Sequence, residues 1–281
     1  MSKAVKERFY PVAMTIAGSD SGGGAGVAAD LRTFNALGVF GACAITAVTA
    51  QNPAAVRRID PVAVDGVTAQ IDAVLENIAV NYCKTGMLFA ADTVVAVADA
   101  VAKHHLKMIC DPVMVSTSGS KLLQDEAIEA VKEKLFPLAS WITPNLPEAE
   151  QLTGRKIATI DEMSAAAGAL SDQYHCAVWL KGGHADDLNC TDVIAREGKL
   201  YTLTTPRLEV PPFATHGTGC TLSAALAATL ALGMPWKQAV CESRAFVYGS
   251  LAQCVPIGKK IHAMYPPVED SIQLVKLTEV E

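Results

Sequence analysis

The stretch Thr215–Ser223 holds the residue types best suited to chemistry. It contains two glycines separated by one residue, Gly217 and Gly219, followed by Cys220, and it leads into an apolar helix predicted over Leu222–Leu232. Glycine lets a backbone approach a ligand closely, and the N–H groups that open a helix carry partial positive charge. The stretch therefore predicts an anion-binding site with a thiol beside it.

Two carboxylates are candidate ligands of a divalent cation. Asp111 follows a short apolar strand predicted over 107–110, and Glu148 follows another predicted over 141–143. Mg²⁺ is usually held by one or two carboxylates together with phosphate oxygens and water. Each residue also has an ordinary interpretation, because Asp111 before Pro112 is typical of a turn and Glu148 is typical of the first turn of a helix. Their joint placement at strand ends favours the metal site.

The elements that must position these residues alternate between strand and helix. Strands are predicted at 12–17, 44–49, 81–87, 107–110, 141–143 and 177–181, a hairpin at 192–203 with its turn at Glu197–Gly198, and helices at 27–37, 64–78, 92–104, 124–135, 160–170, 222–232 and 236–254. Pro144 and Pro147 predict that no helix starts before Glu148. Each polar cluster falls at the carboxyl end of a strand. The pattern predicts a three-layer α/β/α fold with a mostly parallel central sheet, a few antiparallel strands and a ligand site along one sheet edge.

Length and composition predict a single domain over residues 1–281, with residues 1–11 and 266–281 as tails. Hydrophobic residues make up 51% of the chain and charged residues 19%, which is enough apolar material for a large core. A net charge of −6 argues against general binding to nucleic acid or to anionic membranes. Since no long apolar span occurs and no CxxC pair is found among the eight cysteines, we expect a cytoplasmic protein with reduced thiols.

Seven motifs follow one another along the chain. They are AGSDSGGGAG at 17–26, TAQN at 49–52, KTGML at 84–88, DPVM at 111–114, TPNLPEAE at 143–150, KGGH at 181–184 and THGTGCTLS at 215–223. In this order they resemble the hydroxymethylpyrimidine/phosphomethylpyrimidine kinases, which have the ribokinase-like fold. The resemblance implies a homodimeric kinase that uses ATP and Mg²⁺. It would phosphorylate 4-amino-5-hydroxymethyl-2-methylpyrimidine and then its monophosphate, for thiamine biosynthesis.

The resemblance also implies a catalytic role for the stretch Thr215–Ser223. Cys220 stands where other ribokinase-like kinases carry an aspartate as general base. A helix N-terminus is expected to lower the pKa of this thiol, which would then accept the proton of the substrate hydroxymethyl group or only position the hydroxyl. The amides of Gly217, Thr218 and Gly219 would stabilise charge on the transferring phosphoryl group.

The remaining site residues are assigned by the same resemblance to the nucleotide, the metal ion and the pyrimidine. Those expected at the nucleotide are Asn145, Lys181, Thr215 and Gly217, and those expected at Mg²⁺ are Asp111 and Glu148. Asp20 and Gln51 would pair with the ring nitrogen and amino group of the pyrimidine, since a carboxylate and an amide offer complementary acceptors and donors. Gly18, Met87 and Val113 would form the walls of the pyrimidine pocket.

Two alternatives stay open. A pyridoxal or pyridoxine kinase would share most of these motifs, but the closest bacterial type lacks the glutamine found at Gln51, which favours the hydroxymethylpyrimidine. A non-catalytic pyrimidine-binding protein with a kinase fold is the second alternative, and the intact set of carboxylates and thiol argues against it. His184 and His216 are assigned no role, because neither has neighbours spaced for a zinc site.

Overall fold

The structure, a computed structural model, describes residues 9–114, 123–182 and 188–280. Its strands are β1 (Val12–Ala17), β2 (Phe40–Ile45), β3 (Ala47–Asn52), β4 (Ala55–Pro61), β5 (Tyr82–Thr85), β6 (Met108–Cys110), β7 (Ala139–Ile142), β8 (Ala177–Leu180), β9 (Asn189–Arg196), β10 (Lys199–Pro206), β11 (Val255–Gly258), β12 (Ile261–Ala263) and β13 (Lys276–Glu279). Its α-helices are α1 (Gly26–Ala36), α2 (Val64–Leu75), α3 (Ala91–Lys103), α4 (Asp125–Ala130), α5 (Leu146–Thr153), α6 (Ile160–Tyr174), α7 (Thr218–Ala231) and α8 (Trp236–Ala252). A π-helical turn, Val131–Leu135, extends α4.

Nine strands form one sheet in the order β13-β10-β9-β8-β7-β6-β5-β1-β2. The strands from β8 to β2 run parallel, whereas β8, β9, β10 and β13 are joined by antiparallel pairs. The central strands are short apolar runs that are buried along their whole length, as expected where helices cover both faces of a parallel sheet. The predicted mostly parallel sheet with a few antiparallel strands is confirmed.

Each face of the sheet has its own hydrophobic core. Helices α2 to α6 pack on one face with Met14, Ile16 and Ile142, and helices α1, α7 and α8 pack on the other with Ala13 and Trp141. Neighbouring residues of one strand belong to opposite cores because side chains alternate across a strand. The predicted three-layer α/β/α arrangement is therefore confirmed. None of the helices in the described ranges is long and apolar enough to cross a membrane.

The antiparallel edge both confirms one prediction and corrects another. The predicted turn at Glu197–Gly198 joins β9 to β10, and both residues have the positive φ typical of two-residue hairpin turns, 54° and 73°. The predicted tail over 266–281 is corrected in part, because it contains β13, which pairs with β10. The strand is polar and mostly exposed, so no apolar pattern reveals it. The predicted N-terminal tail lies mostly outside the described residues.

The strand predicted over 44–49 is wrong, because this segment belongs to two different strands. The chain leaves the sheet at Thr46, whose hydroxyl donates to the carbonyl of Met87 at 2.7 Å. Strands β3 and β4 then pair only with each other, and Asn52 caps the turn between them. The break was hidden because apolar residues flank Thr46 on both sides. Gln51 therefore lies on a separate hairpin, hereafter the β3–β4 hairpin, and not on a strand of the main sheet.

Two helices begin at least two residues earlier than predicted. Helix α5 starts at Leu146, since Pro147 occupies the first turn, where a missing N–H costs no helical hydrogen bond. Asn145 caps this helix. Helix α7 starts at Thr218 and not at Leu222, so the glycine-rich stretch itself forms the first turn. Both corrections place predicted site residues, Glu148 and Cys220, in the first turn of a helix.

Candidate active site

A cavity of about 620 Å³ lies at the carboxyl ends of the parallel strands. The predicted site residues that line it are Gln51, Asp111, Val113, Asn145, Glu148, Lys181, Thr215, Gly217, Thr218, Gly219 and Cys220. Gly18, Asp20 and Met87 do not line it. The structure thus brings together the acidic, basic and glycine-rich motifs, which are far apart in sequence.

Asp111 follows β6 and is almost completely buried, with 2% of its surface exposed. Its Oδ1 accepts hydrogen bonds from Lys181 Nζ at 2.9 Å and Thr143 Oγ1 at 3.1 Å, and its Oδ2 accepts from Ser223 Oγ at 3.2 Å. Burial raises the pKa of this carboxyl, but the positive charges of Lys181 and Lys84 outweigh burial and hold the pKa below its ordinary value. Asp111 is therefore an anion at neutral pH.

Glu148 occupies the third position of α5 and forms a capping box with Asn145. Its N–H donates to Asn145 Oδ1 at 2.9 Å, and its Oε2 accepts from the Asn145 N–H at 2.8 Å. Burial raises the pKa of Glu148 to about 7, helped by the charge of Asp111 and opposed by Lys181. Glu148 is thus a first-turn helix acid and also a cavity residue, and a nearby cation would favour its ionised form.

We expect Glu148→Gln to stabilise the folded protein at about pH 8 in buffer without Mg²⁺. The pKa of Glu148 rises from 4.5 to about 7 on folding, so the wild type keeps its full stability below pH 4.5 and loses part of it as pH rises to about 7. That pKa difference corresponds to about 3 kcal/mol of unfolding free energy. The Glu148→Gln variant does not lose this stability, because glutamine does not ionise. Urea unfolding at about pH 5 and pH 8 measures the effect.

Glu150→Gln is the control for this experiment. Glu150 lies on the same helix but is only half-buried, with 24% of its side chain exposed, and its hydrogen bond from Lys156 lowers its pKa. The ionised Glu150 therefore contributes more to stability as pH rises. The unfolding free energy of Glu150→Gln should accordingly decrease relative to that of the wild type as pH rises. If Glu148→Gln increased the unfolding free energy by the same amount at both pH values, this would contradict the raised pKa of Glu148.

The glycine-rich stretch packs against the charged pair of Asp111 and Lys181 and against the first glycine loop. Gly217 has φ 83°, and a Cβ there would overlap the carbonyl oxygen of Gly24. A Cβ on Gly219 would lie 3.3 Å from the Nζ of Lys181. The N–H of Thr218 already donates to the carbonyl of Thr215 at 3.2 Å, so this predicted phosphoryl contact has a competing partner within the loop.

The predicted lowering of the Cys220 pKa is wrong. Burial raises the pKa of this thiol to about 11, and the nearby charge of Lys84 offsets burial only in part. Asp30 and Asp111 add repulsion, while the Gly26 N–H hydrogen bond lowers the pKa. The helix N-terminus is outweighed because burial, together with the nearby negative charges of Asp30 and Asp111, disfavours the thiolate. Cys220 is therefore a neutral thiol at physiological pH in the protein without ligands.

A buried ion pair beneath the site was missed by the sequence analysis. Lys84 Nζ lies 2.8 Å from Asp30 Oδ2, and both side chains are fully buried. Thr15 Oγ1 donates to the same carboxylate oxygen at 2.6 Å. Although burial alone would lower the pKa of Lys84, attraction to Asp30 and other negative groups raises it, so the lysine stays charged. Lys84 belongs to the KTGML motif and Asp30 lies on α1, but nothing in their spacing shows that they meet.

Asp20 is placed in the first glycine loop, where its oxygens already have partners. They accept the N–H groups of Gly22 at 2.8 Å and Ala25 at 2.9 Å, and Oδ2 lies 2.8 Å from Nε2 of His216. His216, which was assigned no role, lines the cavity, and its Nδ1 has no hydrogen-bond partner among the described residues. Asp20 therefore orders the loop and orients His216, and its contact with the pyrimidine stays a prediction.

The predicted pyrimidine wall is a small apolar cluster at the base of the β3–β4 hairpin. Met87 packs with Ala47 and Val113, and a Cβ on Gly18 would overlap the Met87 methyl group. Val113 and Gln51 face the cavity, whereas Gly18 and Met87 lie behind them. This arrangement gives an apolar wall with one amide at its rim.

A further part of the cavity is formed by β9, β10 and α8, and no motif pointed to it. Its lining includes Thr205, Leu208, Val210, Arg244, Val247 and Tyr248. An apolar wall with a few polar groups suits a small organic ligand such as a nucleoside. The sequence feature that could have indicated this part of the cavity is Arg244, a charged residue on an otherwise apolar face of α8. His184 and the rest of 183–187 lie outside the described residues.

Comparisons with known proteins agree with this geometry. A family model described as phosphomethylpyrimidine kinase matches residues 20–265. The hydroxymethylpyrimidine/phosphomethylpyrimidine kinase of Haemophilus influenzae is 46% identical over 88% of this chain and 93% of its own, and that of Rhizobium meliloti is 45% identical over 86% and 90%. The pyridoxal kinase of Staphylococcus aureus in complex with AMP-PCP has a TM-score of 0.87 and 32% identity, covering 97% of this chain and 100% of its own. The ribokinase-like fold is confirmed, and the chain belongs to the phosphomethylpyrimidine kinase family.

Proposed function

We propose that the protein is an ATP-dependent kinase that phosphorylates 4-amino-5-hydroxymethyl-2-methylpyrimidine and then its monophosphate, supplying the diphosphate for thiamine biosynthesis. The observation that carries the proposal is one cavity shared by Gln51, the Asp111–Lys181 ion pair and the first turn of α7. The side-chain amide of Gln51, which can hydrogen-bond the alcohol substrate, thus faces the same cavity as a helix N-terminus that can bind an anion. The names of the similar proteins support this substrate class.

The two carboxylates fit a Mg²⁺ ion. No group of three or more His, Cys, Asp or Glu side chains suited to a metal occurs in the described ranges, but Mg²⁺ needs only one or two carboxylates when phosphates complete its shell. Glu148, with its raised pKa, gains a favourable partner when a cation arrives. Asp111 and Glu148 would hold the ion, which would neutralise charge on the phosphate oxygens.

The protein's own residues then position the reactants. Lys181, held 2.9 Å from Asp111, places a fixed positive charge beside Gly219, where the transferring phosphoryl group would lie against the start of α7. Cys220 would face the substrate hydroxyl. Because the hydroxyl becomes acidic only as its oxygen bonds to phosphorus, a neutral thiol can orient the hydroxyl early, and the hydroxyl proton can leave late to an oxygen of the transferred phosphoryl group.

Substrate choice tests the proposal. We expect kcat/KM to be higher for the aminopyrimidine alcohol than for pyridoxal, and Gln51→Leu to lower it by about 10- to 100-fold for the pyrimidine alone, since an unpaired ligand polar group costs about 1–3 kcal/mol. Mass analysis of the products and coupled ADP assays give the two constants. Ser21→Ala, which removes the hydroxyl that bonds the Gln51 backbone, is the control for general disturbance of the hairpin.

Faster turnover of pyridoxal would overturn the pyrimidine assignment in favour of the alternative, a pyridoxal or pyridoxine kinase. That alternative is favoured by the high structural similarity to the Staphylococcus aureus pyridoxal kinase. Tight pyrimidine binding without ATP consumption would instead favour a non-catalytic binding protein. We further propose a single-domain, cytoplasmic homodimer that acts on small molecules, with no nucleic-acid or membrane partner, in keeping with a net charge of −6.

A further inference from the structure

The cavity wall formed by β9, β10 and α8 contains a buried cation, Arg244, whose side chain is only 13% exposed. Its Nη2 donates to Thr205 Oγ1 at 3.1 Å, and its Nη1 lies 3.6 Å from Asp192 Oδ2. The Nε–H is buried and has no hydrogen-bond partner within the described part of the chain. A buried donor without a partner is costly, so this group suits an acceptor atom that a ligand brings.

Asp192 connects Arg244 to the strand end that carries Lys181. The carboxylate is 1% exposed. Its Oδ1 accepts the Gly182 N–H at 2.8 Å, and its Oδ2 accepts the Trp179 indole N–H at 3.0 Å. A buried carboxylate needs a counter-charge, and Arg244 is the cation that the structure places beside it. The arginine therefore stabilises a group that holds the backbone at the end of β8.

The backbone at this point has little freedom. A Cβ on Gly182 would overlap the carbonyl oxygen of Thr191, and the Lys181 N–H donates to the carbonyl of Pro144 at 2.8 Å. Lys181 is thus fixed by its neighbours on both sides before its Nζ reaches Asp111 at 2.9 Å. A shift of Asp192 would move the backbone that sets the position of the Lys181 ammonium.

We propose that Arg244 is a positioning residue for the nucleotide. Its unpaired Nε–H binds an acceptor atom of the nucleoside part of ATP, and its terminal nitrogens hold Thr205 and Asp192, which fixes Gly182 and hence Lys181. Arginine suits this role because its planar group offers five donors in fixed directions, whereas the three donors of lysine leave a single nitrogen and cannot reach three partners that lie around different edges of the guanidinium. The inference rests on the proposed use of ATP.

Direct binding of AMP-PCP and steady-state kinetics test the role in the full-length protein. Arg244→Met should raise the Kd of AMP-PCP and the KM of ATP by about tenfold or more, and Arg244→Lys should recover only part of this loss. The KM of the alcohol substrate should change less than about twofold. Lys237→Met is the matched control, because it removes the same charge from the same helix at a site that stacks on Tyr201 and does not line the cavity.

The outcomes separate the role of Arg244 from a structural one. An unchanged Kd for AMP-PCP, or equal increases in both KM values, would overturn the proposal. If Arg244→Met does not fold, Thr205→Val removes one partner of the guanidinium and should raise the KM of ATP alone. The double variant Arg244→Met with Asp192→Asn tests the connection through Asp192. If the losses of AMP-PCP affinity in the two single variants simply add in the double variant, the connection is overturned. AMP-PCP binding can be measured without the alcohol substrate, so the test remains valid even if the pyrimidine assignment is wrong. If the wild type binds no AMP-PCP, the proposed use of ATP itself is refuted.

Discussion

Cys220→Ala is expected to lower kcat by about 10²-fold, the scale of the loss when a group that orients the reacting atoms is removed. The KM values should change little, because the thiol acts on the hydroxyl that reacts and not on the rest of the substrate. Cys43→Ala is the control, since Cys43 is a half-buried thiol on β2 that does not line the cavity. Steady-state phosphorylation assays on both variants measure the difference.

The neutral state of the thiol adds a second measurement. Because burial raises the pKa of Cys220 to about 11, iodoacetamide should alkylate it slowly at neutral pH and progressively faster as pH rises. Rapid alkylation at about pH 7, which ATP prevents, would show that the thiolate already exists in the free protein. Full turnover by Cys220→Ala would remove this residue from the mechanism altogether.

Lys181→Met is expected to lower kcat/KM by about 10²- to 10³-fold, because it removes a fixed charge beside the transferring phosphoryl group. It should also destabilise the protein by about 3 kcal/mol, since it leaves Asp111 buried without its nearest cation. Chemical unfolding and phosphorylation assays on the same preparations report both effects. Lys156→Met is the control, because Lys156 also pairs with a carboxylate but is exposed.

The double variant Asp111→Asn with Lys181→Met separates stability from chemistry. Removing both charges ends the unfavourable burial of a lone carboxylate, so most of the lost stability should return. Activity should stay low, because neither the cation nor its carboxylate partner is present. A double variant that recovers turnover together with stability would show that Lys181 serves only the fold.

The order of strands and helices could be predicted because local chemistry specifies it. The Glu197–Gly198 turn needs two positive φ values, and the alternation of apolar strands with amphipathic helices places the polar motifs at one sheet edge. The branch at Thr46 could not be predicted, since the residues on either side are equally apolar and only the partner strands differ. Strand β13 could not be predicted because its residues are mostly polar and exposed, so they show no apolar pattern.

Most of the residues predicted for the candidate site do line the cavity, but the electrostatics of the site could not be predicted. The motifs identified Asp111, Lys181 and Cys220, which the structure brings to one cavity. The sign of the Cys220 pKa shift depends on burial and on Lys84 and Asp30, which lie far away in sequence. A helix N-terminus is a local signal, whereas burial and neighbouring charges are set by tertiary packing, and here packing dominates.

The β3–β4 hairpin also has a consequence for how substrate preference can change. It carries Gln51, and it pairs with no strand of the main sheet. The groups proposed to handle phosphate lie on other elements, at the ends of β6 and β8 and the start of α7. Mutations can therefore remodel the acceptor pocket without disturbing the phosphate-handling groups. Exchanging this one hairpin between related vitamin kinases is a compact route to new acceptor specificity.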